Sequence, residues 1–260
     1  MQIDEANLAN LTGLWKKYGS RRINGDTLPL QYANTHWPHR CWFDMNMDDL
    51  SYMIPEYLND TAWLDKVPES MVIPVWPIID NKEHGYTERL ERLLIEKKWS
   101  LAFEQVAMYL ALQDTAVYSP PIRHGFKVRP VCRPEDIKRW VDIGSEAFAY
   151  NIDYPVIENL YDNKDIKLLL GWQDEQAVTA ALLYKTGDII GIHQVGVKQA
   201  FQGQGIARCL MQYIMETCAL WQGKYLVLQA SQVGQPLYES LGFSMQFPIK
   251  NYQRLNQGVM

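Results

Sequence analysis

The sequence predicts an α/β (α+β) protein: a mixed β-sheet flanked by helices, with a second α/β domain ahead of it. Three observations carry that expectation. From about residue 126 onward, period-2 and period-3.6 segments follow one another as βαα-βββ-α-β-α-ββ, which fits an α/β sandwich and not a Rossmann unit. The stretch "YSPPIRHG", Tyr118 to Gly125, breaks all regularity, because Pro120 and Pro121 disfavour both helix and central strand. A boundary there divides the chain into an N-terminal domain, 1–122, and a C-terminal domain, 123–260. Finally, 260 residues at 47% hydrophobic and 21% charged are enough to bury ample core.

The elements of the first part follow in order. Glu5 to Tyr18 has Leu8, Leu11, Leu14 and Trp15 at helical spacing, with Lys16 and Lys17 near its end. "HWPHRCWFD" is a turn leading into a short strand. "DMNMDDLSYMIPEYLND" has helical character, with Asp48 or Asn46 available as a cap. "SMVIPVWPI" is a strand that Pro74 and Pro77 confine to an edge or shorten. "GYTERLERLLIEKKW" is a helix with Leu90, Leu93, Leu94 and Trp99 on one face. "SLAFEQVAMYLAL" reads as a strand, although its Ala, Met and Leu also suit a helix.

The second part is more legible. "KVRPVC" is a strand, and "RPEDIKRWVDIGSEAFAY" a helix with Pro134 in its first turn and acids beside it. A short helix spans Tyr154 to Tyr161. "IKLLLGW", "AVTAALLYK" and "DIIGIHQVGV" are consecutive strands. A helix from Gly205 to Trp221 buries Ile206, Leu210, Ile214 and Cys218. "KYLVLQAS" is a strand, "GQPLYESLG" a short helix, and "FSMQFPIKNYQ" the closing strands.

Charge and cysteine usage narrow the function. The net charge of −5 argues against a general nucleic-acid binder. Residues 1–124 hold 12 basic and 17 acidic side chains, and 125–260 hold 13 and 13, so an anionic ligand meets less repulsion in the second half. Cys41, Cys132, Cys209 and Cys218 show no paired spacing and read as reduced thiols of a cytoplasmic protein. The amino terminus lacks a basic region followed by an apolar core, so no signal peptide is expected, nor any membrane association. "HWPHRC" offers His36, His39 and Cys41, but without a partner cluster no metal site is expected. Trp37 and Trp42 read as anchors of a core or of the interface between halves. Trp15, Tyr52, Trp63 and Trp76 read as core, with an aromatic acceptor pocket as the alternative.

The stretch with chemistry is "VGVKQAFQGQGIARCLM". A strand leads through a loop with Gly203 and Gly205 into a helix start. The first amides of a helix have no internal acceptor, the helix dipole adds positive character, and glycine lets a phosphate approach the backbone. It is neither GxGxxG with a ribose-binding acid nor GxxxxGK[ST], so a pyrophosphate held by main-chain amides fits best.

This stretch resembles motif A of the GNAT N-acetyltransferase superfamily, [QR]xxGx[GA], with Gln202, Gly205 and Ala207 at the defining positions. "PLYESLGF", Pro236 to Phe243, resembles the superfamily's second signature, LYxxLGF, and lies one helix and one strand downstream. The resemblance covers roughly residues 126–252 and implies a GNAT-like sheet that binds acetyl-CoA where two parallel strands splay apart. It places the pyrophosphate on amides of Gln202, Gly203, Gln204, Gly205, Ile206 and Ala207, and the pantetheine along Val195, Gly196 and Val197 like an added strand. It implies direct attack of a primary amine on the thioester, with no metal.

Tyr238 stands where many members carry the tyrosine that protonates the departing thiolate; a Tyr merely packed on the cofactor is the alternative. His193 precedes Val197 by four residues, and strand parity places it on one face with Val195 and Val197. A histidine at this offset is linked to amine deprotonation in serotonin N-acetyltransferases, although a lone strand histidine is often a satisfied core residue. Asp153 and Glu158 are competing carboxylates. Ser231 ends a strand where members contact pantetheine or water, or is simply a turn serine. Residues 1–124 carry neither signature, and read as a degenerate GNAT-like half or as an unrelated cap. The function expected is an acetyl-CoA-dependent N-acetyltransferase, monomeric or homodimeric, acting on a small-molecule or peptide amine. The alternatives are a non-catalytic acyl-CoA-sensing module, or transfer of a longer acyl group.

Overall fold

The protein is described from a computed structural model over residues 2–23, 30–44, 61–77, 85–112 and 123–254. The helix expected after Asn46, together with Tyr52 and the Pro120–Pro121 break that set the domain boundary, lies outside those residues.

Helix α1 (Ile3–Lys17) begins with the Gln2 amide donating to Glu5 Oε2 at 3.2 Å, and carries acids in its first turn and lysines in its last, as the helix dipole favours. Strands β1 (Arg21–Arg22), β2 (Leu30–Ala33) and β3 (Cys41–Asp44) form a small antiparallel sheet. Next come α2 (Ala62–Asp65), β4 (Val72–Val75), α3 (Tyr86–Glu96) and β5 (Trp99–Ala111). The leucines of α3 are buried as their spacing predicts. Trp99, however, opens β5, because Lys98 at φ 64° ends the helical path.

The C-terminal part comprises β6 (Phe126–Pro130), α4 (Pro134–Phe148), α5 (Tyr154–Glu158), β7 (Ile166–Gln173), β8 (Gln176–Thr186), β9 (Ile189–Val197), a 3₁₀ turn (Gln199–Phe201), α6 (Ile206–Leu220), β10 (Tyr225–Ser231), α7 (Gln235–Ser240) and β11 (Ser244–Arg254). The closing segment is one continuous strand, where the sequence suggested more than one.

The larger sheet has eight strands in the order β4-β11-β5-β10-β9-β8-β7-β6. Every neighbouring pair is antiparallel except β9 and β10. Strand β5 lies between β10 and β11, so strands from both sides of residue 122 share one sheet. Its alternation settles the strand-or-helix ambiguity of "SLAFEQVAMYLAL", because two hydrogen-bonded neighbours hold it extended over its whole length.

Alternate residues of the central strands feed two cores. On one face, Leu168, Leu170, Ala180, Leu182 and Tyr184 pack with Leu11 and Leu14 of α1 and with Ile137 and Trp140 of α4. Trp15, Trp37, Trp42 and Trp76 join this same cluster, so these tryptophans are core and bind the two parts of the chain together. Trp140 is fully buried, and its indole donates to Ala181 O at 2.9 Å, which offsets the cost of burying that N–H. On the other face, Leu169, Ala181, Leu183, Ile190 and Ile192 pack with Leu210, Met211, Ile214 and Cys218 of α6.

Candidate active site

The parallel pair β9–β10 is short. Tyr225, Leu226 and Val227 face Ile189, Ile190 and Gly191, and pairing stops there. Beyond that point β9 continues to Val197 paired only with β8, while β10 continues to Ser231 paired only with β5. The carboxyl ends of the two strands therefore part, leaving main-chain groups on the inner edges of a wedge. Edges of this kind accept an extended ligand as an added strand.

At the mouth of the wedge lies the glycine loop. Gly203 and Gly205 have φ of 72° and 78°, the left-handed region that other residues enter only with strain. Gly205 is the N-cap of α6, and a Cβ built on either glycine meets nothing within 4 Å. Among the described residues, the amides of Gly203, Gly205, Ile206 and Ala207 have no acceptor. Gln202 Nε2 donates to Val197 O at 3.0 Å and Gln204 Nε2 to Ala200 O at 3.0 Å, which fixes the loop on the end of β9. Arg123, which the sequence did not single out, donates to Gln204 O at 2.6 Å and to Gln173 Oε1 at 2.8 Å, and sets a guanidinium beside the loop. Unpaired amides, open space and a neighbouring cation fit a diphosphate.

Tyr238 sits on α7 beyond β10, edge-on to Phe243 with centroids 5.8 Å apart. A Cβ on Gly234 would lie 3.2 Å from its ring and 3.3 Å from Ser231 Oγ, which places the ring at the end of β10. Burial pushes its hydroxyl up to about 12, so it stays protonated across the physiological range, and it makes no hydrogen bond to a described residue. Ser231 Oγ accepts the Gly234 amide at 3.2 Å, the role of a turn serine.

Strand β9 is not a regular alternator. Ala180 faces Gly196 and Leu182 faces His193, so Gln194 and Val195 together oppose Ala181, and Gln194 has φ 53°. This β-bulge reverses the parity of everything after it. Val195 packs in the α6-side core with Ile192. A Cβ on Gly196 would meet Ala147 and Phe148 of α4, on the opposite face. The sequence-based placement of His193 on one face with Val195 and Val197 is thereby corrected: His193 faces α1.

There His193 is buried, with Nε2 3.1 Å from Asn10 Oδ1. Asn10 Nδ2 donates to Tyr184 O at 3.0 Å and to Thr186 Oγ1 at 2.9 Å. A carbonyl can only accept, so Asn10 Oδ1 must face the ring, and the hydrogen resides on Nε2. Desolvation lowers the imidazole to about 3, so it is neutral at physiological pH and a weak proton acceptor. Because the unfolded ring titrates near 6.5, the unfolded chain binds the extra proton between pH 6.5 and 3, and stability must fall as pH drops through that window. Urea unfolding of the wild type should lose about 2 kcal/mol between pH 7 and pH 5, at about 1.4 kcal/mol per pK unit. His193→Gln should flatten the slope, and equal slopes in both proteins would refute this origin.

Gly191 makes room for the Asn10–His193 pair, since a Cβ there would overlap Asn10 Oδ1 and His193 Nε2. Gly191→Ala should cost about 2–3 kcal/mol in urea unfolding, a penalty of overpacking. Asn10 is fully buried and Asn7 nearly so, Asn7 reaching Met108 O at 3.2 Å and receiving Gln229 Nε2 at 2.7 Å. Their i, i+3 spacing on the Leu11–Leu14 face was the available signal of a polar seam under α1.

A helix mouth of unpaired amides at the end of a splayed parallel pair, in a mixed sheet of this order, defines the GNAT fold. A family profile described as the Acetyltransferase (GNAT) domain matches residues 128–254, and that part of the chain belongs to this family of acyltransferases. Among solved structures, a GCN5-related N-acetyltransferase from Kribbella flavida is similar with a TM-score of 0.68 at 15% identity, over 98% of this chain and 95% of that one. One from Sphaerobacter thermophilus reaches 0.61 at 15% identity, over 85% and 75% of the two chains. Both matches extend into the N-terminal half, so that half also has a counterpart in those structures. A search among curated proteins found no match. Among the described residues no helix is long and apolar enough to cross a membrane, and no group of His, Cys, Asp and Glu could hold a metal ion.

Proposed function

We propose that the protein transfers an acetyl group from acetyl-CoA to a primary amine of a small molecule or peptide by direct attack. The single observation carrying this reading is the wedge between β9 and β10 that opens onto the unpaired amides of Gly203, Gly205, Ile206 and Ala207. Acetyl-CoA, when bound, supplies an activated acetyl thioester. The loop from Gln202 to Ala207, with Gln204 held by Arg123, would grip the diphosphate. The edge formed by Val195, Gly196 and Val197 would hold the pantetheine, and Ser231 shapes the turn on the far side.

In the transfer an N–C bond forms and the C–S bond breaks. The acceptor must shed one proton to become nucleophilic and a second as the amide forms, while the thiolate must gain one. Tyr238 donates to the thiolate, having an unengaged hydroxyl that remains protonated. The weak basicity of His193 assigns the acceptor's protons to solvent or to a water-linked group, with His193 holding α1 against β9. The main-chain amides displaced by the bulge at Gln194 and Val195 offer donors where the carbonyl develops charge.

The reading is tested by titrating CoA calorimetrically and by screening amines and amino acids with acetyl-CoA for thiol release. Binding together with amine-dependent release is expected. Binding without release for any amine would make the protein a non-catalytic CoA-binding module, and absence of binding would end the reading.

A further inference from the structure

The wedge opens on the α1 face toward a cation, Arg40. Arg40, between β2 and β3 in the chain, is half-buried, and its guanidinium lies 5.4 Å from the centroid of Phe103. Among the described residues no carboxylate pairs with it. Its position follows from the strands around it. Gln105 of β5 faces Ser231, the last residue of β10, and Phe103 lies two residues further on the same side of the sheet, past the end of β10. On the opposite flank, Tyr150 donates to Gln194 Oε1 at 3.0 Å, the side chain of the bulge residue of β9. Tyr150 also takes a hydrogen bond from Trp37 and feels the charge of Arg40. Arg40 therefore stands between a residue tied to the end of one diverging strand and a residue beyond the end of the other.

We propose that Arg40 binds a carboxylate on the acceptor, so that the substrates are amines bearing a carboxylate, amino acids being the simplest. This rests on the acetyltransferase reading and names its acceptor class. A guanidinium withdrawn from water gains most from a planar anion that takes two parallel N–H bonds. Burial lowers the Arg40 guanidinium to about 10, the mark of a charge short of compensation. A lone cation balances one negative charge, which favours a carboxylate over a phosphate dianion. Across the same wall, Asp153 Oδ2 accepts the Trp37 amide at 2.9 Å and lies 3.9 Å from His36 Nδ1, and its side chain, 39% exposed, offers a carboxylate to the ammonium end of a zwitterion. The cation and the carboxylate are thus linked through Trp37 and Tyr150, an arrangement that reads both ends of an amino acid. Arg40 and Trp37 come from the N-terminal half and Tyr150 and Asp153 from the C-terminal half, which gives the N-terminal half a part in choosing the acceptor.

The test uses the full-length protein with acetyl-CoA and three sets of acceptors: amino acids, their methyl esters, and phosphoethanolamine. For the wild type, kcat/KM should be about 100-fold higher for the free carboxylate than for its ester, the scale of losing one partner of a desolvated charge pair. Arg40→Gln should lower kcat/KM for amino acids by about 100-fold, mainly through KM, and erase the preference over esters. Arg40→Lys should restore part of it. CoA affinity and the urea midpoint of Arg40→Gln should match the wild type. Equal use of acid and ester, preference for phosphoethanolamine, or unchanged kinetics in Arg40→Gln would overturn the assignment while leaving the transferase reading intact. Absence of thiol release with every acceptor would overturn both.

Discussion

Gly205→Asp should weaken CoA binding by at least about 100-fold while leaving the fold nearly intact. The separation follows from the geometry. In the protein alone, a Cβ at residue 205 meets nothing within 4 Å, so the main cost to the folded state is the strain of a non-glycine residue at φ 78°, about 1–2 kcal/mol. On binding, the same side chain occupies the space a diphosphate needs and sets a carboxylate against it. Repulsion between two like charges about 4 Å apart is worth about 1–4 kcal/mol between bulk water and a protein surface, before counting the lost approach to the Ile206 and Ala207 amides. Gly205→Asn separates charge from bulk, because asparagine tolerates the left-handed region. It should lose about 10-fold in affinity, the cost of roughly one hydrogen bond. Calorimetric titration reads the affinities and thermal unfolding reads the fold. An unchanged Kd in Gly205→Asp would place the diphosphate elsewhere.

Tyr238→Phe should lower kcat by about 10- to 1,000-fold, the general-acid range reduced by water acting as a substitute donor. The ring packs edge-on against Phe243 and beside Gly234, and phenylalanine keeps both contacts, so stability and CoA affinity should stay close to wild type. The hydroxyl has no partner among the described residues, so its removal orphans no buried group. A further signature is pH. With the hydroxyl pushed up to about 12, the wild type should show no loss of kcat up to pH 10 from deprotonation of this residue. Unchanged turnover in Tyr238→Phe would leave the tyrosine as packing alone.

The sequence showed most where the physics is local. Two glycines at positive φ, a helix N-terminus and an apolar stripe are fixed by residues within a turn of one another, so the loop from Gln202 to Ala207 and helix α6 were legible. It failed where partners lie far apart along the chain. Strand β5 could be read as a strand, but not its place between β10 and β11, which depends on pairings more than 100 residues away. The bulge at Gln194 carries no glycine or proline to mark it, so a correct strand assignment still placed His193 on the wrong face. Asn10, which decides the tautomer of His193, is 183 residues away from it. Arg40 passed unnoticed beside His36, His39 and Cys41 because its meaning comes from having no acid paired with it among the described residues, and that is a property of the fold.

In the proposed complex the mouth of α6 holds the diphosphate and the edge of β9 holds the pantetheine. Amide NMR of the protein titrated with CoA tests it most directly. Large shifts and slowed hydrogen exchange should concentrate at Gly203, Gly205, Ile206 and Ala207, with a second group at Val195 to Val197 and little change in β6 or β7. Saturable CoA binding that leaves those amides unmoved, or that shifts a different surface, would contradict the account.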